Sequence, residues 1–308
     1  MAFLKCFGSY VPERVVSNDE AGALAGVNAE WIRNVSGIEE RRYAADGESV
    51  VDMGVRAAED CFARSGTRQV GMILVASGSF ERRFPGPACM IAQRLGLGEI
   101  PAIDLPVASA GSLFGIALAE RLSATFGDIL VIGAEKMSAV VGLDPANRST
   151  AVLFGDGAGA CIVSAANGFA RILGSVVQSD GSFSEDLKLE FGKPLEMNGR
   201  SVILQASRKV PRAVCQALES CGHTVSEVQR FVMHQANQNL IVRVADALGV
   251  PQEKFFSNIR SYGNTSSASM LIAATEWLRQ EGLGKGNLAV FTAFGAGFNW
   301  GAVVAEGC

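Results

Sequence analysis

The chain contains short, almost entirely apolar runs that are typical of buried strands, and these runs occur in two matching sets. Residues 71–76 and 229–234 are both strand-like, are both followed by polar residues and a helical stretch, and lie 158 residues apart. Residues 128–134 and 287–293 repeat at nearly the same separation and have the uniform hydrophobicity of central strands. The repeat predicts two α/β halves of similar structure.

The helical segments follow the same repeat. A helix that begins near Ser109 corresponds to one that begins near Ser266 at almost the same offset. Strands that alternate with helices predict a parallel or mixed sheet covered by helices, with functional sites where strands end and helices start. We therefore expect an N-terminal half over residues 1–166 and a C-terminal half over residues 167–308. The helix starts at Ser109 and beside Asn264 are expected to face one pocket.

Composition narrows the class of protein. The 308 residues are 48% hydrophobic and only 19% charged, which is typical of a well-buried globular enzyme rather than a disordered chain. A formal charge of −4 gives no basic footprint for nucleic acid or an anionic membrane, so neither is an expected partner. The apolar stretch from Leu288 to Ala305 is interrupted by glycines and an asparagine, which argues against a membrane span.

The cysteines bear on metal binding and on the cellular compartment. There are seven, an odd number, with no Cys-x-x-Cys spacing and no nearby histidine to complete a zinc site, so no metal is expected. The first residues also lack the pattern of a secretory signal. Reduced, mostly buried thiols and a cytoplasmic protein are the expectation.

Candidate chemistry starts from the scarcity of histidine. Only two histidines occur, and His234 directly follows a strand-like run, where a general base is well placed. Ser109 lies among small residues at a helix start, and Asn264 lies beside the second helix start. Taken singly, they are more often a structural histidine, an N-cap serine and a turn asparagine. Taken together, they suggest a base, a nucleophile and an amide.

The glycine-rich run from Gly155 to Gly159 is a weak candidate for a phosphate loop. No Gly-Lys-Ser/Thr follows it, and a strand over residues 160–164 is expected to continue from it. We interpret these glycines as positions where backbone segments pack closely at the centre of the molecule.

Short motifs in a specific order run along the whole chain: Phe7–Glu13, Glu30–Ile32, Gly37–Ile38, Phe84–Pro85, Asp144–Pro145, Phe154–Gly159, His234–Asn237, Gly263–Ser266 and Phe298–Gly301. In this order and spacing they resemble the ketoacyl synthase III group of the thiolase superfamily. The resemblance implies a five-layer αβαβα sandwich made of two duplicated halves, which agrees with the repeat described above. It also implies an acyltransferase that works on acyl thioesters.

The resemblance assigns roles to the candidate residues. His234 and Asn264 match the catalytic histidine and asparagine, and the backbone amides of Ser109 and Ala296 match an oxyanion hole. Position 109 departs from the family, because serine stands where the family has its nucleophilic cysteine. A serine hydroxyl stays protonated and would need His234 to take its proton during attack. In the family, the histidine and asparagine also hold the carbonyl oxygen of a malonyl-type thioester while carbon dioxide leaves.

The implied substrate is acyl-CoA or an acyl group on phosphopantetheine, with no cofactor. Trp31 and Arg148 match residues that contact the adenine end of coenzyme A, and Asn237 is a further expected substrate-binding residue. Two arginines of the family pattern are replaced by Val35 and Asn239. Binding of coenzyme A is therefore expected to be weaker than is usual in the family.

The expected protein partners are an acyl carrier protein and a second copy of the chain. Asp246 and Ala247 stand where the family has lysines of its carrier-docking patch, so an altered docking surface is expected. Phe84 matches the residue that reaches into the neighbouring subunit's acyl pocket in family homodimers. A homodimer is the expectation.

The leading hypothesis is a ketoacyl synthase III-like acyltransferase that loads an acyl group onto Ser109 and transfers or condenses it in a specialised fatty-acyl or polyketide pathway. One alternative is a catalytically silent partner subunit. Another is a thioesterase-like serine hydrolase, although Val107 interrupts the Gly-x-Ser-x-Gly pattern. Departures at Pro106 and Ser112 favour a natural serine over one introduced to trap an intermediate. The acyl chain, its donor and its acceptor stay open.

Overall fold

The chain alternates strands and helices throughout residues 1–308, all of which are described in a computed structural model. The strands are β1 (Ala2–Tyr10), β2 (Arg14–Ser17), β3 (Glu40–Tyr43), β4 (Met72–Ala76), β5 (Ala102–Leu105), β6 (Ile129–Lys136), β7 (Asp156–Ser164), β8 (Ala170–Ser179), β9 (Leu187–Lys188), β10 (Glu196–Met197), β11 (Val228–Met233), β12 (Phe255–Phe256), β13 (Leu288–Gly295) and β14 (Asn299–Gly307). The helices are α1 (Asn18–Ala25), α2 (Ala29–Ser36), α3 (Val50–Ser65), α4 (Pro87–Arg94), α5 (Gly111–Phe126), α6 (Arg148–Ala151), α7 (Gly199–Ser220), α8 (Gln238–Leu248), α9 (Ile259–Tyr262) and α10 (Ser269–Gln280).

Ten of the strands form one continuous sheet in the order β12-β11-β13-β14-β8-β1-β7-β6-β4-β5. The order repeats itself outward from the centre, where β1 and β8 pair antiparallel. In one half, β4 runs parallel to both β5 and β6, and β6 runs antiparallel to β7. In the other half, β11 runs parallel to both β12 and β13, and β13 runs antiparallel to β14. This symmetry confirms the duplicated halves predicted from the hydrophobic pattern.

Helices complete the layers on both sides of each half-sheet. Helix α3 packs on β1, β6 and β7, and α7 packs on β8, β13 and β14, so each covers an outer face. Helices α5 and α10 contact strands of both halves and form the central layer. The central apolar cluster joins the halves directly, since the rings of Phe7 and Phe291 stack with centroids 5.6 Å apart. The result is the predicted five-layer αβαβα sandwich. The division at residues 166 and 167 falls in the turn between β7 and β8 and stays a prediction.

All of the glycine-rich run except Gly155 lies within β7, which begins at Asp156 and not at residue 160 as expected. A Cβ atom on Gly159 would lie 2.4 Å from Cβ of Leu271 in α10, and one on Gly155 would lie 2.3 Å from the carbonyl oxygen of Tyr262. The strand therefore extends further than expected because its glycines remove side chains where α10 and the chain before Asn264 press against it. Close backbone approach is the role that the sequence predicted for them.

The apolar stretch near the C-terminus is part of the sheet. Residues Leu288 to Ala305 supply β13 and most of β14, which pair antiparallel from Leu288 opposite Glu306 to Gly295 opposite Asn299. None of the helices combines the length and the apolar character that crossing a bilayer requires.

Candidate functional site

A cavity of about 1200 Å³ opens where the two halves meet. Its wall includes Ser109 before α5, His234 after β11, Asn264 after α9 and Ala296 between β13 and β14. Three of these are buried polar side chains, with relative exposures of 7% for Ser109, 2% for His234 and 6% for Asn264. The structure therefore brings together the residues that the sequence singled out.

Ser109 is not the N-cap of the following helix. The N-cap of α5 is Ala110, and Ser109 precedes it in the left-handed region with φ of +59°. This conformation is uncommon for a residue other than glycine. The loop is wedged against β13, because a Cβ atom on Gly295 would lie 2.1 Å from the Ala108 carbonyl and 2.9 Å from the Ser109 Cβ. The packing holds the hydroxyl at the cavity wall.

His234 is oriented by a serine on the central helix α10. Its Nδ1 lies 2.5 Å from Oγ of Ser269, and the same Oγ accepts the backbone N–H of Gln235 at 3.0 Å. The Ser269 hydroxyl has no other acceptor within hydrogen-bonding distance, so its proton points to Nδ1. The ring proton then sits on Nε2, and His234 presents a hydrogen-bond donor to the cavity. No hydrogen bond joins His234 to the Ser109 hydroxyl.

Burial lowers the pKa of His234 to about 3, because desolvation disfavours the imidazolium. The unfolded chain takes up a proton at this residue below about pH 6.5, whereas the folded protein does not. The resulting contribution to stability is complete above about pH 6.5 and is lost as the pH falls toward the folded pKa. His234 is thus neutral throughout the pH range around neutrality.

We expect this burial to appear in acid unfolding. Between about pH 6.5 and pH 4, the free energy of unfolding of the wild type should fall more steeply than that of His234→Asn, by at most about 1.4 kcal/mol per pH unit. Urea unfolding at a series of pH values measures both slopes. His223 is present in both proteins, so its contribution cancels in the comparison. Parallel curves would show that His234 is accessible to protons in the folded state.

Asn264 is also oriented by its neighbours. Its Oδ1 accepts the backbone N–H of Ser266 at 2.9 Å, and its own backbone bonds to Leu153 and Gly155 at 2.9 and 3.1 Å. Because Oδ1 is occupied in this turn, the amide Nδ2 is left to point its protons at the cavity. His234 Nε2 and Asn264 Nδ2 are therefore two donors suited to an oxygen that develops negative charge.

Sequence reasoning missed a buried carboxylate beneath Ser109. Glu135, at the end of β6, is fully buried, and its Oε1 accepts the Ser266 hydroxyl at 2.9 Å. Ser266 in turn accepts the backbone N–H of Ser109 at 3.1 Å, so an incoming carbonyl would compete with it for that amide of the expected oxyanion hole. Glu135 directly follows the apolar run at residues 128–134, and a carboxylate that ends a central strand is the signal that could have identified it.

The expected coenzyme A contacts lie apart from the cavity wall. Trp31 on α2 and Arg148 at the start of α6 are both exposed and do not line it, whereas Asn237 does. Asn237 Nδ2 donates to the Val35 carbonyl at 2.8 Å, and Asn239 Nδ2 donates to the same oxygen at 3.2 Å. The two amides therefore tie the start of α8 to the end of α2.

Phe84 lies outside the cavity wall and is 85% exposed, although its neighbours Arg82 and Arg83 line the cavity. The Arg83 guanidinium lies over the ring of Phe191, 4.6 Å from its centroid. Within the single chain, Phe84 has no acyl pocket to fill. Its predicted role in a neighbouring subunit stays a prediction.

Comparisons with known proteins match most of the chain. Family profiles described as 3-oxoacyl-[acyl-carrier-protein (ACP)] synthase III match residues 103–181, and those of its C-terminal region match residues 218–306. A beta-ketoacyl-[acyl-carrier-protein] synthase III from Geobacillus kaustophilus is 37% identical over 301 residues, which cover 96% of each chain.

Solved structures give the same result. The 3-oxoacyl-[acyl-carrier-protein] synthase III of Aquifex aeolicus superposes with a TM-score of 0.95 at 33% identity, covering 99% of this chain and 100% of the other. The priming beta-ketosynthase of the R1128 polyketide biosynthetic pathway superposes with a TM-score of 0.91 at 31% identity, covering 99% of this chain and 96% of the other. The similarity extends over the whole fold.

Proposed function

Because this chain belongs to the 3-oxoacyl-[acyl-carrier-protein] synthase III family of condensing acyltransferases, we propose that it accepts an acyl group from a thioester onto Ser109 and passes it to a second substrate. The observation that carries the proposal is the convergence of Ser109, His234 and Asn264 on one cavity of about 1200 Å³. The hydroxyl supplies the nucleophile, and the two oriented donors supply charge stabilisation. The reaction needs no cofactor and no metal in this scheme.

The two half-reactions use different groups. In the first, Ser109 Oγ attacks the thioester carbonyl, the carbon–sulfur bond breaks, and an oxygen ester remains on the enzyme. Backbone N–H groups of Ser109 and Ala296 stabilise the oxyanion. In the second, a malonyl-type thioester loses carbon dioxide while His234 Nε2 and Asn264 Nδ2 hold the enolate oxygen. The enolate carbon then attacks the ester, and Ser109 is released.

The surface near the cavity suits an acidic carrier protein as donor. Helix α7 begins at the cavity, where Gly199 contributes to its wall, and carries Arg200, Arg208 and Arg212 along one exposed face. None of the three arginines pairs with a carboxylate of this chain, so all are free to meet a negative partner. Exposed Trp31 and Arg148 are the candidate contacts for coenzyme A. We favour carrier-bound phosphopantetheine, with acyl-CoA as the second donor.

An unpaired edge of the sheet supports a homodimer. Strand β5 is the last strand of the sheet, so one side of its backbone has no partner in this chain, and Ile103 is 45% exposed on it. Phe84, at 85% exposure, presents a large apolar ring near the same region of the chain. Pairing of two β5 edges would bury both and bring Phe84 to a neighbouring acyl pocket.

The proposed pathway rests on positions where the sequence departs from the family pattern. A serine nucleophile and the replaced arginines at Val35 and Asn239 argue against routine initiation of fatty acids. We assign the chain to a specialised fatty-acyl or polyketide pathway in the cytoplasm, in a priming role like that of the R1128 ketosynthase.

A panel of acyl thioesters on coenzyme A and on acyl carrier proteins tests the proposal. We expect intact-protein mass spectrometry to show one added acyl group, which peptide mapping places on Ser109, and a malonyl-type acceptor to convert it into a ketoacyl product. The double variant Arg208→Glu/Arg212→Glu should weaken loading from the carrier about tenfold or more and leave loading from coenzyme A unchanged. If loading from the carrier and from coenzyme A fell equally, the proposed docking role of α7 would be wrong.

The same panel separates the alternatives. Absence of any adduct and of any product would favour a silent partner subunit. Release of free acid that outpaces transfer to every acceptor would favour a thioesterase-like serine hydrolase. Either result would overturn the proposed acyl transfer.

A further inference from the structure

We infer that Glu135, acting through Ser266, is the proton acceptor for Ser109 in this enzyme, in place of His234. The inference rests on the proposed function, in which Ser109 carries the acyl group. Three oxygen atoms from segments far apart in the sequence form a chain below the cavity. Ser109 Oγ lies 3.4 Å from Ser266 Oγ, and Ser266 Oγ lies 2.9 Å from Glu135 Oε1. All three side chains are buried.

The direction of these hydrogen bonds is determined by their partners. A carboxylate only accepts, so the single proton of the Ser266 hydroxyl points to Glu135. Ser266 Oγ then offers only lone pairs to Ser109, whose backbone N–H it already accepts at 3.1 Å. Between the two hydroxyls, Ser109 is therefore the donor. The Ser109 hydroxyl is thus oriented toward Ser266, over a separation longer than that of a usual O–H···O bond.

The Glu135 carboxylate is held by hydrogen bonds on both of its oxygens. Its Oε2 accepts the backbone N–H groups of Gly78 and Ser79 at 3.0 Å each and the Ser79 hydroxyl at 2.6 Å. No lysine or arginine pairs with it, so hydrogen bonds alone hold its charge. Oε1 accepts the Ser266 hydroxyl at 2.9 Å and, over a longer distance of 3.4 Å, the backbone N–H of Ser267. A buried carboxylate with one oxygen anchored and the other facing a hydroxyl is suited to a relay.

His234 is a poor alternative for the same task. The Ser269 proton occupies its Nδ1, which places the ring proton on Nε2 and makes the imidazole a donor to the cavity. It also has no hydrogen bond to Ser109. His234 and Asn264 thus act on the oxygen of the acceptor substrate, and the relay acts on the nucleophile.

The proton balance closes over the two half-reactions. During attack, the Ser109 proton moves to Ser266 Oγ and the Ser266 proton moves to Glu135 Oε1, while the thiolate leaves and takes a proton from solvent. The acyl-enzyme then carries a neutral Glu135. When the enolate carbon attacks the ester, the carbon–oxygen bond to Ser109 breaks, and the same two transfers in reverse protonate the departing oxygen. The enzyme returns to its starting state.

The test compares Ser266→Ala in two backgrounds by the rate of single-turnover acylation. In the wild type, losing the relay should slow acylation of Ser109 by about 10²-fold or more, in the range of general-base catalysis. In Ser109→Cys, the thiol ionises without a relay, so the same substitution should cost less than about threefold. A loss of equal size in both backgrounds would mean that Ser266 only holds the Ser109 backbone, and would overturn the relay.

The pH dependence of acylation provides a second test, because a residue with a purely structural role would not change its slope. Without the relay, attack depends on hydroxide, so acylation by Ser266→Ala and by Glu135→Gln should rise about tenfold per pH unit, while the wild type rises less steeply. Ser267→Ala is the matched control, because its buried hydroxyl donates to the Ala76 carbonyl at 3.0 Å and not to the relay. Its backbone N–H, 3.4 Å from Glu135 Oε1, is kept in the variant. It should acylate within about threefold of the wild type. Identical pH slopes in wild type and Ser266→Ala would overturn the inference.

The outcomes also separate this inference from the proposed function. If the wild type forms no acyl adduct, the proposed function fails and the relay fails with it. If the wild type forms the adduct and Ser266→Ala forms it equally fast, only the relay fails.

Discussion

Replacing Ser109 with alanine should lower the rate of acyl-enzyme formation by at least about 10⁴-fold, because the variant has no atom that can form the covalent bond. Ser109→Cys should form the adduct and hold it as a thioester. The thioester is the more reactive ester, so transfer to a carbon nucleophile should be faster from the Ser109→Cys adduct than from the native oxygen ester. Rapid-quench mass spectrometry measures loading, and product analysis measures transfer.

The chemical nature of the adduct provides the control for this prediction. Neutral hydroxylamine cleaves thioesters readily and oxygen esters slowly, so it should strip the acyl group from Ser109→Cys and leave the wild-type adduct largely intact. Unfolding of each variant in urea confirms that the fold is kept. An adduct of undiminished yield in Ser109→Ala would place the acyl group on another residue and end the assignment of Ser109 as nucleophile.

Removing the amide donor at Asn264 should slow decarboxylation of a malonyl-type thioester by about 10²–10³-fold, which is the usual effect of losing one donor to a developing oxyanion. Asn264→Asp should be worse than Asn264→Ala. The aspartate keeps the oxygen that accepts the Ser266 N–H at 2.9 Å but places negative charge where the enolate forms. Release of carbon dioxide from the labelled carboxyl group measures the effect.

Loading of Ser109 is the internal comparison for these variants. Asn264 makes no hydrogen bond to the Ser109 hydroxyl, so both variants should form the acyl adduct at a rate within a few-fold of the wild type. Loss of loading and decarboxylation to the same extent would mean that the turn around Ser266 had collapsed. Undiminished decarboxylation in these variants would show that Asn264 does not stabilise the enolate.

The fold could be predicted largely from the sequence, because burial imposes a local period that is visible without any partner. The runs at residues 128–134 and 287–293 became β6 and β13, and the repeat of 158 residues became the symmetry of the sheet. The start of β7 was placed four residues too late. Glycine has no side chain to mark a buried strand, and the reason for Gly159 lies in α10, more than a hundred residues away.

The candidate site could also be predicted only in part from the sequence. Motifs around Ser109, His234 and Asn264 identified the residues, since each motif is a short local pattern at the end of a strand or the start of a helix. Their working orientation came from contacts between distant segments. Ser269 orients His234 from 35 residues away, and Glu135 meets Ser266 across 131 residues. Folding of the C-terminal half brings Ser269 to His234, and contact between the two halves brings Glu135 to Ser266. The direction of each proton depends on its nearest partner in space, which sequence order does not specify.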